Sequence, residues 1–119
     1  MSQGKKTWYI PDGFIPPESS GRHISHEAIC VLNDSGHSAS LTMTVYFEDQ
    51  EPIRDLTATV ENERTAHIKT NELKNQNGAT IPVGVPYAMK VEANTDIIVQ
   101  YSRLDSTQPE LALMSTIAY

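Results

Sequence analysis

Apolar and polar residues alternate along several short stretches of the chain, with the period of two that is typical of a β-strand with one buried face. The clearest stretch covers residues 41–48, in which every odd-numbered position is apolar. Residues 56–61 and 87–94 repeat the pattern. We therefore expect three comparable antiparallel strands, each with one face against the core and the other against water.

Two further stretches, residues 28–32 and 97–99, are apolar at consecutive positions. A strand of this kind needs cover on both of its faces. The cover comes either from a second layer of the same domain or from a partner subunit, and the sequence leaves both alternatives open.

Turn-forming residues separate these stretches. The run Asn33-Asp34-Ser35-Gly36 predicts a hairpin between the strand that ends at Leu32 and the next strand, with Gly36 able to adopt a positive φ. Residues 75–78 and 93–96 predict two more turns.

The spacing of these signals predicts an all-β fold with seven to eight short strands. We expect a single-domain antiparallel β-sandwich over residues 1–119, with a jelly roll as one form of it. Residues 1–7 are expected to form an edge segment or a disordered one.

Charge and hydropathy narrow the classes of function. Nine basic and fifteen acidic residues give a formal charge of −6, which disfavours nucleic acid as a partner because phosphate binding needs clustered cations. No apolar run approaches the ~18 residues that span a bilayer, and no apolar segment follows the first residues as in a secretion signal. We expect a cytoplasmic protein without membrane insertion.

The sequence contains none of the motifs that usually identify an enzyme: no glycine-rich phosphate loop, no nucleophile elbow and no cysteine beside a histidine. Its four histidines lack the spacing of a zinc site. We predict a non-enzymatic protein without metal or cofactor. A small hydrolase that uses His26 with Asp105 or Ser106 remains an alternative, and it requires these side chains to meet in space.

Two short groups of ionisable residues are the candidate binding residues. Arg103 and Asp105 are two apart, so they share one face if the strand continues that far, and together with Ser106 they can bind a polar ligand. His26 and Glu27 precede the apolar stretch 28–32 and can hold a ligand at the mouth of the core. The structural alternatives are an ion pair or turn cap for the first group and a strand-end hydrogen bond for the second.

Several runs resemble the sensory rhodopsin transducer family. They are Ile15-Pro16-Pro17, Ser25-His26-Glu27, Cys30 to Asn33, Tyr46 to Pro52, Arg64 to His67, and Arg103 to Tyr119. The resemblance implies a cytoplasmic β-sandwich assembled as a ring-like homotetramer, in which the member that names the family docks on the cytoplasmic face of a sensory rhodopsin. It also singles out His26, Glu27, Arg103, Asp105 and Ser106 as positions that match the motifs of the family.

On these grounds we expect a signalling or ligand-binding adaptor that binds a receptor or another partner, with a small polar ligand as one route to that binding. The alternative is a carbohydrate-binding or carbohydrate-modifying β-sandwich. That alternative requires Trp8 or tyrosines to be exposed along a groove, where their rings could stack on a sugar.

Overall fold

A computed structural model describes residues 4–15, 26–105 and 112–119, with the backbone alone for His26, residues 103–105 and residues 112–116. Its elements are seven β-strands and one short 3₁₀ turn. The strands are β1 (Lys5–Gly13), β2 (His26–Asn33), β3 (Ala39–Tyr46), β4 (Ile53–Val60), β5 (Arg64–Lys69), β6 (Tyr87–Asp105) and β7 (Ala112–Ile117), and the 3₁₀ turn covers Thr70–Glu72. All pairings between the strands are antiparallel.

The long strand β6 belongs to two four-stranded sheets. In the first sheet the order is β4-β3-β6-β1, and in the second it is β5-β2-β6-β7. The two sheets face each other across the core and are joined through β6, which bends from one sheet into the other. The predicted all-β, antiparallel sandwich is confirmed, and the described residues form seven strands, within the predicted seven to eight.

A corner in β6 connects the two sheets. Its pairing with β3 ends at Ala93 and its pairing with β2 begins at Ile98, while the register with β1 shifts at the same place. Such a bulge bends a strand and increases its twist. The sequence predicted a turn between two strands here, which is wrong. The Asn94 side chain accepts a hydrogen bond from the Ser40 backbone N–H at 2.8 Å and does not cap a turn of its own backbone.

The connection between β2 and β3 crosses from the second sheet to the first, so the predicted hairpin is also wrong. Asn33 is fully buried, and its Nδ2 donates to the backbone oxygens of His37 at 2.7 Å and Val60 at 2.9 Å. Gly36 has the predicted positive φ, at 95°. The two strands separate because each must turn its apolar face toward the other across the core.

The core lies between the sheets and consists of the inward-facing side chains of both. Its largest fully buried apolar members are Ile29, Leu41, Met43, Leu56, Met89 and Ile97. Trp8 also belongs to the core, and its Nε1 donates to the backbone oxygens of Lys5 and Ile97, each at 3.0 Å. Within the described residues, no helix has the length and hydropathy needed to cross a bilayer.

The outward face of the second sheet keeps an apolar patch, which we call the outer patch. It consists of Cys30, Leu32, Ile98 and Ile117, of which Leu32 is 44% and Ile117 53% exposed. Leu32 and Ile98 are direct cross-strand partners. The second layer of the domain therefore covers only one face of the stretch 28–32, and its other face is open.

Candidate functional site

The carboxylate of Glu27 is the most unusual polar group in the described core. Glu27 is the second residue of β2 and follows the inward alternation of Ile29 and Val31, so its side chain enters the space between the sheets. It is fully buried. A buried carboxylate is costly unless hydrogen-bond donors replace the water it has lost.

Three donors from the described residues surround this carboxylate. The Tyr87 hydroxyl donates to Oε1, the Tyr101 hydroxyl donates to Oε2, and the Phe14 backbone N–H donates to Oε2 at 2.7 Å. The Thr70 hydroxyl donates to the backbone oxygen of Glu27 at 3.4 Å. Among the described residues, no buried side-chain N or O atom lacks a hydrogen-bond partner, so the cluster is fully satisfied.

The two tyrosines connect the ends of β6. They are fourteen residues apart in one strand, and a straight strand of that length would separate them by roughly 46 Å. Both hydroxyls reach one carboxylate only because the corner in β6 returns the strand toward its start. Glu27 therefore holds together both halves of β6 and the residue that follows β1.

Burial raises the pKa of the Tyr87 hydroxyl well above its usual range, and the nearby negative charge of Glu27 adds to the effect. Tyr87 thus remains protonated at neutral pH. It can act as a donor to Glu27 but not as a base.

An open depression lies at the end of the first sheet where β1 and β3 end and β6 begins. It has a volume of about 320 Å³. The residues that line it include three aromatic residues, two acidic residues and two prolines, namely Tyr46, Phe47, Tyr87, Asp12, Glu48, Pro11 and Pro86. We call it the acidic depression, because none of the described residues that line it is basic.

Two smaller depressions adjoin it. One, of about 280 Å³, shares Glu48 and Pro86 with the acidic depression and adds Asp49. The other, of about 180 Å³, is lined by Tyr9, Tyr101 and Tyr119 among others, and lies where Tyr9 and Tyr119 exchange backbone hydrogen bonds. Since Tyr87 lines the first depression and Tyr101 the last, Glu27 lies beneath both.

The strand register places most of the predicted site residues close together. Glu27 is the cross-strand partner of Arg103, and His26 is the partner of Leu104, next to Asp105 at the end of β6. Ser106 lies outside the described residues. The register therefore brings the backbones of the two predicted groups together, and the side chains of the predicted hydrolase arrangement lie outside the described part of the chain.

Other residues of the site were missed at the sequence level. Tyr87 and Tyr101 were not recognised as partners of Glu27, although an acidic residue at an inward position of a strand needs donors nearby. The carbohydrate alternative named Trp8, or else tyrosines, as exposed rings that stack on a sugar. For Trp8 this is wrong, since its side chain is only 7% exposed. Within the described part of the chain, no three metal-ligating side chains come together.

Comparisons with known proteins agree with this architecture. A family model described as Anabaena sensory rhodopsin transducer matches residues 3–119. The chain belongs to this family. Its strand arrangement is similar to that of Thermotoga maritima 1070, with a TM-score of 0.85 and 30% identity over 99% of this chain and 96% of that one. It is also similar to the Anabaena sensory rhodopsin transducer, with a TM-score of 0.78 and 38% identity over 92% and 96%. A search of curated proteins found no significant match.

Proposed function

We propose that this protein is a non-enzymatic, cytoplasmic transducer that docks on the cytoplasmic face of a membrane receptor and relays its state as a homotetramer. Membership of the transducer family and the likeness to a sensory rhodopsin transducer support the proposal. The single observation that favours docking through this domain is the acidic depression.

Charge gives a physical reason for this docking. The cytoplasmic loops of membrane proteins are enriched in lysine and arginine, whereas this chain has a formal charge of −6. Asp12 and Glu48 concentrate negative charge at one end of the first sheet. Opposite charges steer partners together and fix their orientation.

In this proposal Glu27 acts from inside the fold. Glu27 holds the Tyr87 ring in the wall of the acidic depression, because it accepts the hydroxyl of that ring. Arg103 lies opposite Glu27 in the register. The region of His26, Arg103, Asp105 and Ser106 is proposed to support this end of the second sheet and to meet a partner or a small polar ligand.

The outer patch supports self-association. An apolar patch of this kind, rimmed by polar residues such as Thr65 and Gln100, is typical of a protein interface. Leu32→Asp should convert the expected tetramer into smaller species without loss of the fold, as measured by light scattering and circular dichroism. Thr57→Asp, on an exposed position of the first sheet, is the matched control. A tetramer that survives Leu32→Asp would exclude the outer patch as the interface.

Docking can be tested with a sensory rhodopsin reconstituted in nanodiscs as the probe. We expect saturable binding that weakens as salt rises, and that also weakens in Glu48→Gln but not in Glu61→Gln. Glu61 follows the far end of β4, away from the depression. Binding no stronger than to empty nanodiscs would contradict the docking proposal.

One observation favours carbohydrate binding as a second candidate. Tyr46, Tyr87 and two carboxylates lie in one depression, and rings with acceptor groups can stack on and hydrogen-bond a sugar. Thermal unfolding in the presence of a panel of sugars tests this, since a ligand bound only by the folded state raises the unfolding temperature. A saturable shift that is lost in Tyr46→Ala would support it, and a flat panel would reject it.

A further inference from the structure

We propose that the acidic depression binds a guanidinium group, as carried by an arginine side chain. This inference rests on the proposed docking function and names the chemical group that the docking site would recognise. The observation behind it is that three aromatic residues and two acidic residues line one concave site.

The aromatic walls are the first part of the argument. Tyr46 and Phe47 are half-buried, so part of each ring remains accessible, and Tyr87 forms the inner wall. The Tyr87 hydroxyl is engaged by Glu27, which fixes the position of this ring. Rings attract a cation that lies over their faces, and a planar guanidinium also stacks on them.

The charges are the second part. Asp12 and Glu48 line the same depression and are exposed. Within the described residues, neither has an ion-pair partner. A carboxylate accepts two parallel hydrogen bonds from a guanidinium, a geometry that an ammonium group cannot match.

The basic residue beside the site does not satisfy these carboxylates. Lys90 is occupied by Glu92, with its Nζ 3.5 Å from Oε1, and this pair lies on the outward face of the first sheet. Glu92 and then Tyr46 raise the pKa of Lys90, so it stays charged beside them. No described basic residue therefore forms an ion pair with Asp12 or Glu48, and both carboxylates are open to a cation from a partner.

Calorimetric titration at low salt can test the proposal with four probes. They are methylguanidinium and three short acetylated peptides that differ at one position, which is arginine, lysine or citrulline. We expect saturable binding of methylguanidinium and of the arginine peptide, weaker binding of the lysine peptide and none of the neutral citrulline peptide. Tighter binding of the arginine peptide than of methylguanidinium would indicate a side chain of a partner as the source, and the reverse would indicate a free small molecule.

Variants then locate the binding. Glu48→Gln and Phe47→Leu should each weaken the arginine peptide by roughly two- to five-fold, whereas Glu61→Gln should leave it unchanged. Equal binding of the arginine and citrulline peptides, or equal loss in Glu48→Gln and Glu61→Gln, would overturn the proposal.

The two proposals fail separately. If the arginine peptide binds but a rhodopsin nanodisc does not, the guanidinium site stands and the docking function is wrong. If the nanodisc binds equally well to the wild type, Glu48→Gln and Phe47→Leu, docking stands and the guanidinium site is wrong.

Discussion

The hydroxyl groups that surround Glu27 should contribute a measurable part of the stability of the fold. Tyr87→Phe and Tyr101→Phe each remove one donor to a fully buried carboxylate and preserve the ring. A hydrogen bond to a charged group contributes about 1.5–3 kcal/mol to stability. Each variant should therefore lower the free energy of unfolding by about 1.5–3 kcal/mol, which is a large fraction of the roughly 5–15 kcal/mol that is typical of proteins.

Urea denaturation followed by circular dichroism measures this loss. With a slope of roughly 1–3 kcal/mol per molar urea, a loss of 2 kcal/mol shifts the midpoint by roughly 0.7–2 M. All samples need the same protomer concentration, because self-association would add to the apparent stability. Tyr9→Phe is the matched control, since Tyr9 is 52% exposed, and its effect should stay within about 0.5 kcal/mol.

The double variant tests whether both hydroxyls act on the same carboxylate. After one donor is lost, water can enter beside Glu27, so the second removal should cost less than it does alone. We expect the loss in the double variant to be smaller than the sum of the single losses by more than about 0.5 kcal/mol. Single variants within about 0.5 kcal/mol of the wild type would refute the idea that these hydroxyls stabilise the fold.

Three other predictions concern the same fold. Gly13→Ala would place its Cβ 2.5 Å from Cζ of Tyr87, so it should destabilise the fold by about 1–3 kcal/mol in urea denaturation. An equal loss of stability in a Tyr87→Leu background would contradict a clash with the Tyr87 ring as the cause. Because burial raises the pKa of Tyr87 on folding, the stability that its protonated hydroxyl contributes is fully present below the unfolded pKa of ~10 and declines as pH rises above it. The tyrosinate absorbance that appears on unfolding at high pH should therefore be smaller in Tyr87→Phe by the contribution of one tyrosine, and an unchanged amplitude would contradict this. Asn33→Ala leaves two backbone oxygens without their buried donor, so it should lower the free energy of unfolding by about 2–4 kcal/mol. Asn77→Ala, at an exposed position, should lower it by under ~0.5 kcal/mol. Similar unfolding midpoints for these two variants would be inconsistent with a structural role of Asn33.

Local alternation was sufficient to predict β3, β4 and the first half of β6, because a half-buried strand imposes its period directly on the sequence. Residues 41–46 of β3 and 87–93 of β6 lie in strands as expected, with their odd-numbered side chains inward. Connections were predicted less well. A run such as Asn33–Gly36 is compatible both with a hairpin inside one sheet and with an arch between two sheets, and the choice depends on which faces must meet across the core.

The corner in β6 shows a second limit of local reasoning. Asn94 and its neighbours have the composition of a turn, but the bulge keeps the strand continuous and the Asn94 side chain bonds to β3. The choice between a turn and a bulge is made by the strands on either side, which come from distant parts of the sequence.

Glu27 explains why only part of the candidate site could be predicted. Its position before an apolar strand identified it as a candidate, but the same position is compatible with a ligand-binding carboxylate at the surface and with a structural carboxylate in the core. The structure favours the structural role, because Tyr87, Tyr101 and the Phe14 N–H already use its oxygens. Recognition must then depend on what Glu27 positions, and the Tyr87 ring connects it to the surface. A variant that disturbs Glu27 should therefore alter the acidic depression even though Glu27 itself does not line it.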